Sequence, residues 1–441
     1  MIKELYRNYF KDKKVTVMGL GLLGRGVGDS IFLAEYKSKL TITDKKTQEQ
    51  LASSLLALEK YSDVTYTLGE HTLTDFENKD FILKAAGVPY DSEYISHAKK
   101  EGIPIYMSAA LVSMIAMKEL PDVTIIGVTG TRGKSTTTQL IAHILKENNL
   151  RVHLGGNIRG VANLPLLEYI EDTDYLVLEL DSWQLQGFGD LKISPHIAVF
   201  TSFLDDHMNY YKNDKELYFN DKANIYRYQN KFDVLVASKQ AHDEIWKRDK
   251  KKEVFVPDEN TFEMNLIGEH NVHAVQLAYE VTSQCGLDDE DIRNAIKSFR
   301  AVEGRLEDKG LVRGVRVFND NNGTTGDATV AALTAIATTY NKKPILIIGG
   351  SDKGLPLESL ESAIKEYAQD VVFLDGTGTQ KLSLPQEHKF YQLEDCVAHA
   401  FSIAKEGDII LYSPAFASFS QYFNNEYEKN DTFIRAIQKY A

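Results

Sequence analysis

The sequence predicts an α/β protein of three domains, each a parallel sheet covered by helices. Three observations carry this. The 441 residues make about three domains of ~150 residues. Short β-branched apolar runs alternate with longer amphipathic segments, the pattern of parallel strands joined by crossover helices. The runs fall into three series, which sets the expected domains at 1–111, 112–302 and 303–441.

The first series opens with Val15-Thr16-Val17-Met18, turns through Gly19-Leu20-Gly21-Leu22-Leu23-Gly24, and returns as Leu40-Thr41-Ile42-Thr43 before Asp44. This is a Rossmann-like βαβ unit. Its glycines let backbone amides approach a diphosphate at a helix start, and a carboxylate about twenty residues on can meet a ribose or base. Gly21, Leu22, Gly24 and Asp44 are therefore candidate contacts to a nucleoside diphosphate. Taken alone, the spacing would also suit a nicotinamide dinucleotide.

The second series contains Val123–Val128, Tyr175–Leu180 and His196–Phe200, and carries the strongest chemical signal. Thr129-Gly130-Thr131-Arg132-Gly133-Lys134-Ser135-Thr136 lies between a β-run and an amphipathic helix. In such a P-loop the glycines turn successive N–H groups toward one anion, the lysine reaches the β- and γ-phosphates, and the serine hydroxyl can hold Mg²⁺. Gly130, Thr131, Gly133, Lys134, Ser135 and Thr136 are the candidate ATP contacts. The loop is a variant, since Val128 stands where the usual pattern has its first glycine. The third series, Val315–Phe318, Pro344–Ile348, Val371–Leu374 and Asp408–Tyr412, predicts a second Rossmann-like domain at the carboxyl end.

Composition narrows the function. Fifty Lys and Arg against sixty-three Asp and Glu leave a net charge of −13, which disfavours a nucleic-acid or anionic-membrane binder. Hydrophobic residues at 43% and charged residues at 26% are ordinary for a folded globular chain. The charged start Met1–Arg7 and the lack of a long apolar run predict no membrane segment. Cys285 and Cys396 have no partner at metal-ligand spacing, so a reduced, cytoplasmic compartment is expected. The charge-dense run Lys247–Lys252 reads as a solvated loop.

Further blocks follow in a fixed order: Gly155-Gly156-Asn157-Ile158, Leu178–Leu185, Asp206-His207-Met208, Lys222-Ala223, Leu266–Asn271, Arg305-Leu306-Glu307, Asn319-Asp320, Gly349–Gly354 and Ser413–Phe419. With the phosphate loop, they resemble the Mur ligase family over nearly the whole chain, and its glutamate-adding branch most. The resemblance implies ATP-dependent amide formation, with UDP-N-acetylmuramoyl-L-alanine and D-glutamate as substrates, an acyl-phosphate intermediate and two Mg²⁺ ions. Lys134 and Arg305 match the phosphate-binding lysine and arginine, Ser135 and Glu179 match ligands of one Mg²⁺, and His207 matches a ligand of the second. Lys222 aligns with a lysine that relatives carry as a carbamate able to bind magnesium. Lys134, His207, Lys222 and Arg305 thus form the implied catalytic set. Asn271 is implied near the adenine, Asp320 at the ATP ribose, Asn157 along the muramyl chain, and Lys353 and Ser418 at the amino acid. A monomer is expected. Without the resemblance, Lys222 reads as an exposed lysine in a helical segment Tyr218–Tyr228, and the Asp206-His207 pair reads as structural.

The departures gather around the amino acid. Asn322 stands where relatives place a lysine, Asn425 where an aromatic is common, Arg132 where the phosphate loop usually has Asn, and Ser108-Ala109-Ala110 lacks an acidic residue. Loss of a charge-assisted bond at 322 either weakens glutamate or leaves another cation to compensate. Two alternatives stand beside the D-glutamate ligase: the same chemistry with another acceptor such as L-glutamate, or a folylpolyglutamate-type ligase. A dinucleotide oxidoreductase or a sensor with a vestigial phosphate loop would bind nucleotide without turnover.

Overall fold

The computed structural model describes residues 3–22, 24–417, 423 and 425–441. Three sheets follow one another along the chain. The first holds β1 (Lys14–Met18), β2 (Lys39–Asp44), β3 (Val64–Leu68), β4 (Phe81–Lys84) and β5 (Ile105–Tyr106) in the order β3-β2-β1-β4-β5. The second holds β6 (Thr124–Thr129), β7 (Val152–Gly156), β8 (Tyr175–Glu179), β9 (Ile197–Phe200) and β10 (Val234–Ala237) in the order β10-β9-β6-β8-β7. Every pairing in these two sheets is parallel. Parallel strands are covered on both faces, which is why β6, β8 and β9 read as nearly unbroken apolar runs.

The third sheet holds β11 (Glu307–Val312), β12 (Val315–Asn319), β13 (Ile345–Gly349), β14 (Asp370–Leu374), β15 (Lys389–Phe390) and β16 (Ile409–Tyr412) in the order β11-β12-β16-β13-β14-β15. It is not wholly parallel. The edge strand β11 pairs antiparallel with β12 through a tight turn at Arg313 and Gly314, both with positive φ. Two residues cannot accommodate the crossover that a parallel partner would need.

The chain divides into two compact units, Met1–Asn260 with Gln276–Ala295, and Thr261–Val275 with Ile296–Ala441. The first and second sheets lie in the former and the third sheet in the latter. The helix Ser108–Glu119 explains why two sheets share one unit: Ala109, Ala110, Leu111, Val112, Ile115 and Ala116 are all buried and join a core that includes Val15 and Val17 of the first sheet and Ile125 and Leu176 of the second. A helix apolar all round has to be covered all round. The boundary expected near 111 falls inside this helix. Lys247 and Arg248, read from sequence as loop, end the helix Lys239–Arg248 and pair with Glu244. Among the described residues no helix is long and apolar enough to cross a membrane.

In each sheet some of the residues singled out for chemistry, among them Asp44, Glu179 and Asp320, lie at or just past the carboxyl ends of strands, where open parallel sheets leave a crevice for ligands.

Candidate active site

The phosphate loop leaves β6 at Thr129 and enters the helix Lys134–Glu147. Gly130 adopts φ 146, and a Cβ there would lie 2.0 Å from the Thr201 hydroxyl, so only glycine fits. Gly133, at φ 84, is the residue before the helix, and no side chain caps the helix start. The first-turn N–H groups and the positive dipole end therefore face outward, as an anion site requires. The loop is pinned by the residues after β9. Thr131 N donates to Ser202 O at 2.7 Å, Arg132 N to Ser202 Oγ at 2.8 Å, and Thr201 Oγ1 to Thr129 O at 3.1 Å and to Arg132 O. Sequence reasoning passed over Thr201 and Ser202. The only signal was two adjacent hydroxyl residues directly after a predicted strand.

Two lysine side chains converge on this loop. Lys134 Nζ donates to Gly130 O at 2.9 Å and Thr131 O at 3.3 Å, and Lys222 Nζ donates to the same Gly130 carbonyl at 2.9 Å. Lys222 is 1% exposed, against the reading of its segment as an exposed helix. Its helix, Lys215–Ala223, ends earlier than expected and buries Tyr218, Phe219 and Ala223 on the face that also carries Lys222. The ammonium lies over the Tyr218 ring at 4.9 Å. Burial pushes the Lys222 pKa well below the ordinary lysine value, helped by Lys134 and Arg132, while Asp181 and Asp206 oppose.

Arg132 Nη1 meets Asp206 Oδ2 at 3.0 Å, and Asp206 Oδ1 accepts the His207 N–H at 3.0 Å. His207 adopts φ 54 and packs on Trp183 with ring centroids 4.7 Å apart. Burial lowers its pKa against the opposing carboxylates of Asp206 and Asp181, with Lys134 and Lys222 acting in the same direction as burial. A neutral imidazole with a lone pair for a metal results. Glu179 closes β8, 5% exposed and paired in register with Val128 of β6. Among the described residues no group of three His, Cys, Asp or Glu could by itself cage a metal. An Mg²⁺ ion would need no such cage, since it takes one or two protein oxygens and fills its octahedron with phosphates and water. Ser135 and Glu179 fit that role.

In the first sheet Gly19, Gly21 and Gly24 all have positive φ, and Gly24 precedes the uncapped helix Arg25–Glu35. Asp44 differs from expectation. Its two carboxylate oxygens accept Gly21 N at 3.0 Å and Lys46 N at 2.9 Å, and it is 5% exposed, so it shapes the glycine turn from within. Leu22 projects from that turn and is exposed. Arg25, which sequence reasoning missed, donates to Asn157 Oδ1 at 2.5 Å and ties the turn to the segment after β7. Asn157 is thus brought to the first-sheet glycines.

Asn271, Arg305, Asp320, Asn322 and Lys353 belong to the second compact unit. Asp320 is buried at the end of β12, accepting Leu306 N at 3.0 Å and the Ser413 hydroxyl at 2.7 Å; burial raises its pKa to about 7. Asn271 donates to Ile267 O at 2.8 Å, and Arg305 is partly buried just before β11. Lys353 Nζ donates to Thr324 Oγ1 at 2.9 Å, and Asn322 Nδ2 to Glu303 O at 3.3 Å. Asn425, where an aromatic was expected, caps the helix Glu426–Gln438 by accepting Tyr427 N at 3.0 Å and Glu428 N at 2.9 Å. Ser418 lies outside the described residues.

Residues 128–257 match the Mur ligase middle domain. The chain is 34% identical to a UDP-N-acetylmuramoylalanine--D-glutamate ligase of Borreliella burgdorferi, over 97% of this chain and 98% of that protein. A protein of the same name from Roseiflexus is 32% identical over 97% of this chain and 99% of its own length. Among solved structures, the UDP-N-acetylmuramate-alanine ligase of Thermotoga maritima shares the fold with a TM-score of 0.63 at 18% identity, covering 97% of this chain and 99% of that one. The MurF ligase of the same organism, solved in complex with ADP, aligns with a TM-score of 0.59 at 14% identity over 99% of each chain. The chain therefore belongs to the Mur ligase family, and the relatives it matches over nearly its whole length are named UDP-N-acetylmuramoylalanine--D-glutamate ligase.

Proposed function

We propose that this protein joins D-glutamate to UDP-N-acetylmuramoyl-L-alanine at the expense of ATP, forming ADP and phosphate, in peptidoglycan precursor synthesis. The observation that carries the reading is the convergence of Lys134 and Lys222 on the Gly130 carbonyl beside an uncapped helix start, with Glu179 at the end of the neighbouring strand. Bringing a carboxylate to a γ-phosphoryl group sets two anions together. They repel by about 1 kcal/mol per charge pair in water at 4 Å, and several-fold more in a drier cleft. The loop amides, Lys134 and Arg305 offset that repulsion.

The alanine carboxylate oxygen attacks the γ-phosphorus and ADP leaves. The glutamate amine then attacks the acyl carbon, loses a proton, and expels phosphate. Mg²⁺, held through Ser135 and Glu179, with His207 for a second ion, would neutralise phosphate charge. Burial favours the amine form of Lys222, the form that adds carbon dioxide, and its carbamate would supply a further carboxylate oxygen beside the loop. Gly21, Leu22 and Gly24, with Asn157 and the Asp44 that shapes their turn, serve the UDP-linked acid; Asn271 and Asp320 serve the nucleotide, and Lys353 and Ser418 the amino acid. The three expected modules, 1–111, 112–302 and 303–441, correspond to these three substrates, and we take the enzyme to work as a cytoplasmic monomer.

The test is phosphate release with ATP, Mg²⁺ and UDP-N-acetylmuramoyl-L-alanine while each D- and L-amino acid is added in turn, with mass detection of product. Release that depends on D-glutamate and yields the glutamyl product is expected. Phosphate that appears regardless of amino acid would remove the assignment.

A further inference from the structure

The amino-acid end of the second unit contains a cation without a counterpart. Lys429, in the helix Glu426–Gln438, is 1% exposed, and its Nζ makes no hydrogen bond among the described residues. Lysine is almost never fully buried unless paired, and an ammonium buried without a partner is among the most costly groups a core can hold. The side-chain oxygen of Asn321 is likewise buried and unpartnered. The two belong to one cluster, because Asn321 Nδ2 donates to Glu426 O at 3.0 Å in the first turn of that helix. The neighbouring Asn430 accepts from Asn319 Nδ2 at 2.9 Å. Asn322 joins the cluster from the other side. A Cβ on Gly304 would lie 3.1 Å from Asn322 Nδ2 and 3.3 Å from Asn430 Oδ1.

Burial brings the Lys429 pKa down to about 7, Lys353 acts in the same direction, and Glu426 opposes them by favouring the charged form. Lys353 is itself tied to Thr324 in the loop that follows β12. Lys353 and Lys429 thus act on one another beside the Asn322 loop; of the nearby carboxylates, Glu303 accepts from Asn430 Nδ2 at 2.5 Å and Glu307 from Asn319 Nδ2 at 3.4 Å, and neither is hydrogen-bonded to the buried Lys429. This arrangement is complementary to an anion.

We propose that Lys429, together with Lys353, receives a carboxylate of the incoming dicarboxylic amino acid and supplies the charge that Asn322 lacks. The inference rests on the ligase reading for the identity of the amino acid, but not for the existence of a carboxylate site. Lys429 is a specificity-determining residue here and takes no part in the bond changes.

The experiment uses the full chain and the variant Lys429→Met, which keeps the length and apolar stem and removes the charge. Two quantities are read: the KM for D-glutamate in phosphate release, and the affinity for glutarate, a dicarboxylate without an amine, by calorimetry. Both should weaken by about tenfold or more, corresponding to loss of one charge-assisted bond. The KM values for ATP and the UDP-linked acid should stay within about twofold, and Lys429→Arg should recover most of the glutarate affinity. Glutarate binding that is sensitive to Lys429 in a protein with no glutamate-dependent turnover would overturn the ligase reading and support the carboxylate site. Equal glutarate affinity in wild type and a folded Lys429→Met would overturn the inference. Should the variant fail to fold, wild type alone decides. A carboxylate beside Lys429 favours its charged form, so glutarate binding at pH 8 should take up a proton, seen as a heat that depends on buffer ionisation; a buffer-independent heat would refute the proposal.

Discussion

Replacing Gly130 by alanine tests the cradle at its tightest point. The new Cβ would sit 2.0 Å from Thr201 Oγ1 and 2.8 Å from Ser202 N. Ordinary contact begins at 3.4 Å, so the Ser202 backbone would have to retreat by about 0.6 Å (3.4 − 2.8). A non-glycine residue at φ 146 costs about 1–3 kcal/mol in backbone strain. Retreat of Ser202 also breaks its bonds to Thr131 N and Arg132 N, worth about 1 kcal/mol each. The total, about 3 to 5 kcal/mol, is set against the loop geometry that presents amides to phosphate. Nucleotide titration by calorimetry should show ATP affinity down at least ~100-fold, about 2.7 kcal/mol, while the affinity for the UDP-linked acid stays within about twofold, because its glycine turn follows a different sheet. Unchanged ATP affinity in Gly130→Ala would refute the reasoning that this loop holds the triphosphate.

Other outcomes follow from the same geometry. Lys134→Ala should abolish phosphate release and leave binding of the UDP-linked acid intact by calorimetry; equal loss of both would contradict separate phosphate sites. Asn322→Lys should change the KM for D-glutamate by less than about threefold if Lys429 already supplies the cation, whereas a tenfold improvement, ~1.4 kcal/mol, would show the charge at 322 to be missing. Asp44→Asn keeps one acceptor oxygen for two backbone donors, and should weaken the UDP-linked acid by about fivefold to tenfold, ~1 kcal/mol for one lost bond, without altering the KM for ATP. Asp320 is protonated in the folded chain up to about pH 7 but ionises near 3.8 when unfolded. Its contribution is therefore fully present below pH 3.8 and is lost as pH rises toward 7. Denaturant midpoints should fall across that window by more in wild type than in Asp320→Asn, and identical slopes would contradict a buried neutral carboxyl.

The strands that sequence made legible are those whose burial is written into consecutive residues. Val123–Val128, apart from Thr124, and Pro344–Ile348 carry no polar side chain because both faces are covered. By contrast β3 is partly exposed along its length, and β7 contains His153, Gly155 and Gly156, so neither shows a β-rich apolar run. The antiparallel β11 carries Glu307, Asp308 and Lys309, a pattern that an edge strand tolerates and a sequence scan reads as loop. In the site, the glycine–lysine turn was readable because its chemistry is local. The burial of Lys222 was not, since it depends on which face of Lys215–Ala223 meets the core, and four other polar residues in that helix obscure the face. Asp44 was legible as the end of a β-run, but its partners are backbone amides brought close only by the glycine turn. Lys429 gave no sequence signal at all, because its isolation is a property of packing between the last helix and the loop after β12.

The most direct measurement follows an oxygen atom. UDP-N-acetylmuramoyl-L-alanine labelled with ¹⁸O in its alanine carboxylate should, on turnover with ATP and D-glutamate, transfer one labelled oxygen to inorganic phosphate for each amide formed. Amide formation accompanied by unlabelled phosphate would mean that the carboxylate never met the γ-phosphoryl group, and would contradict the account.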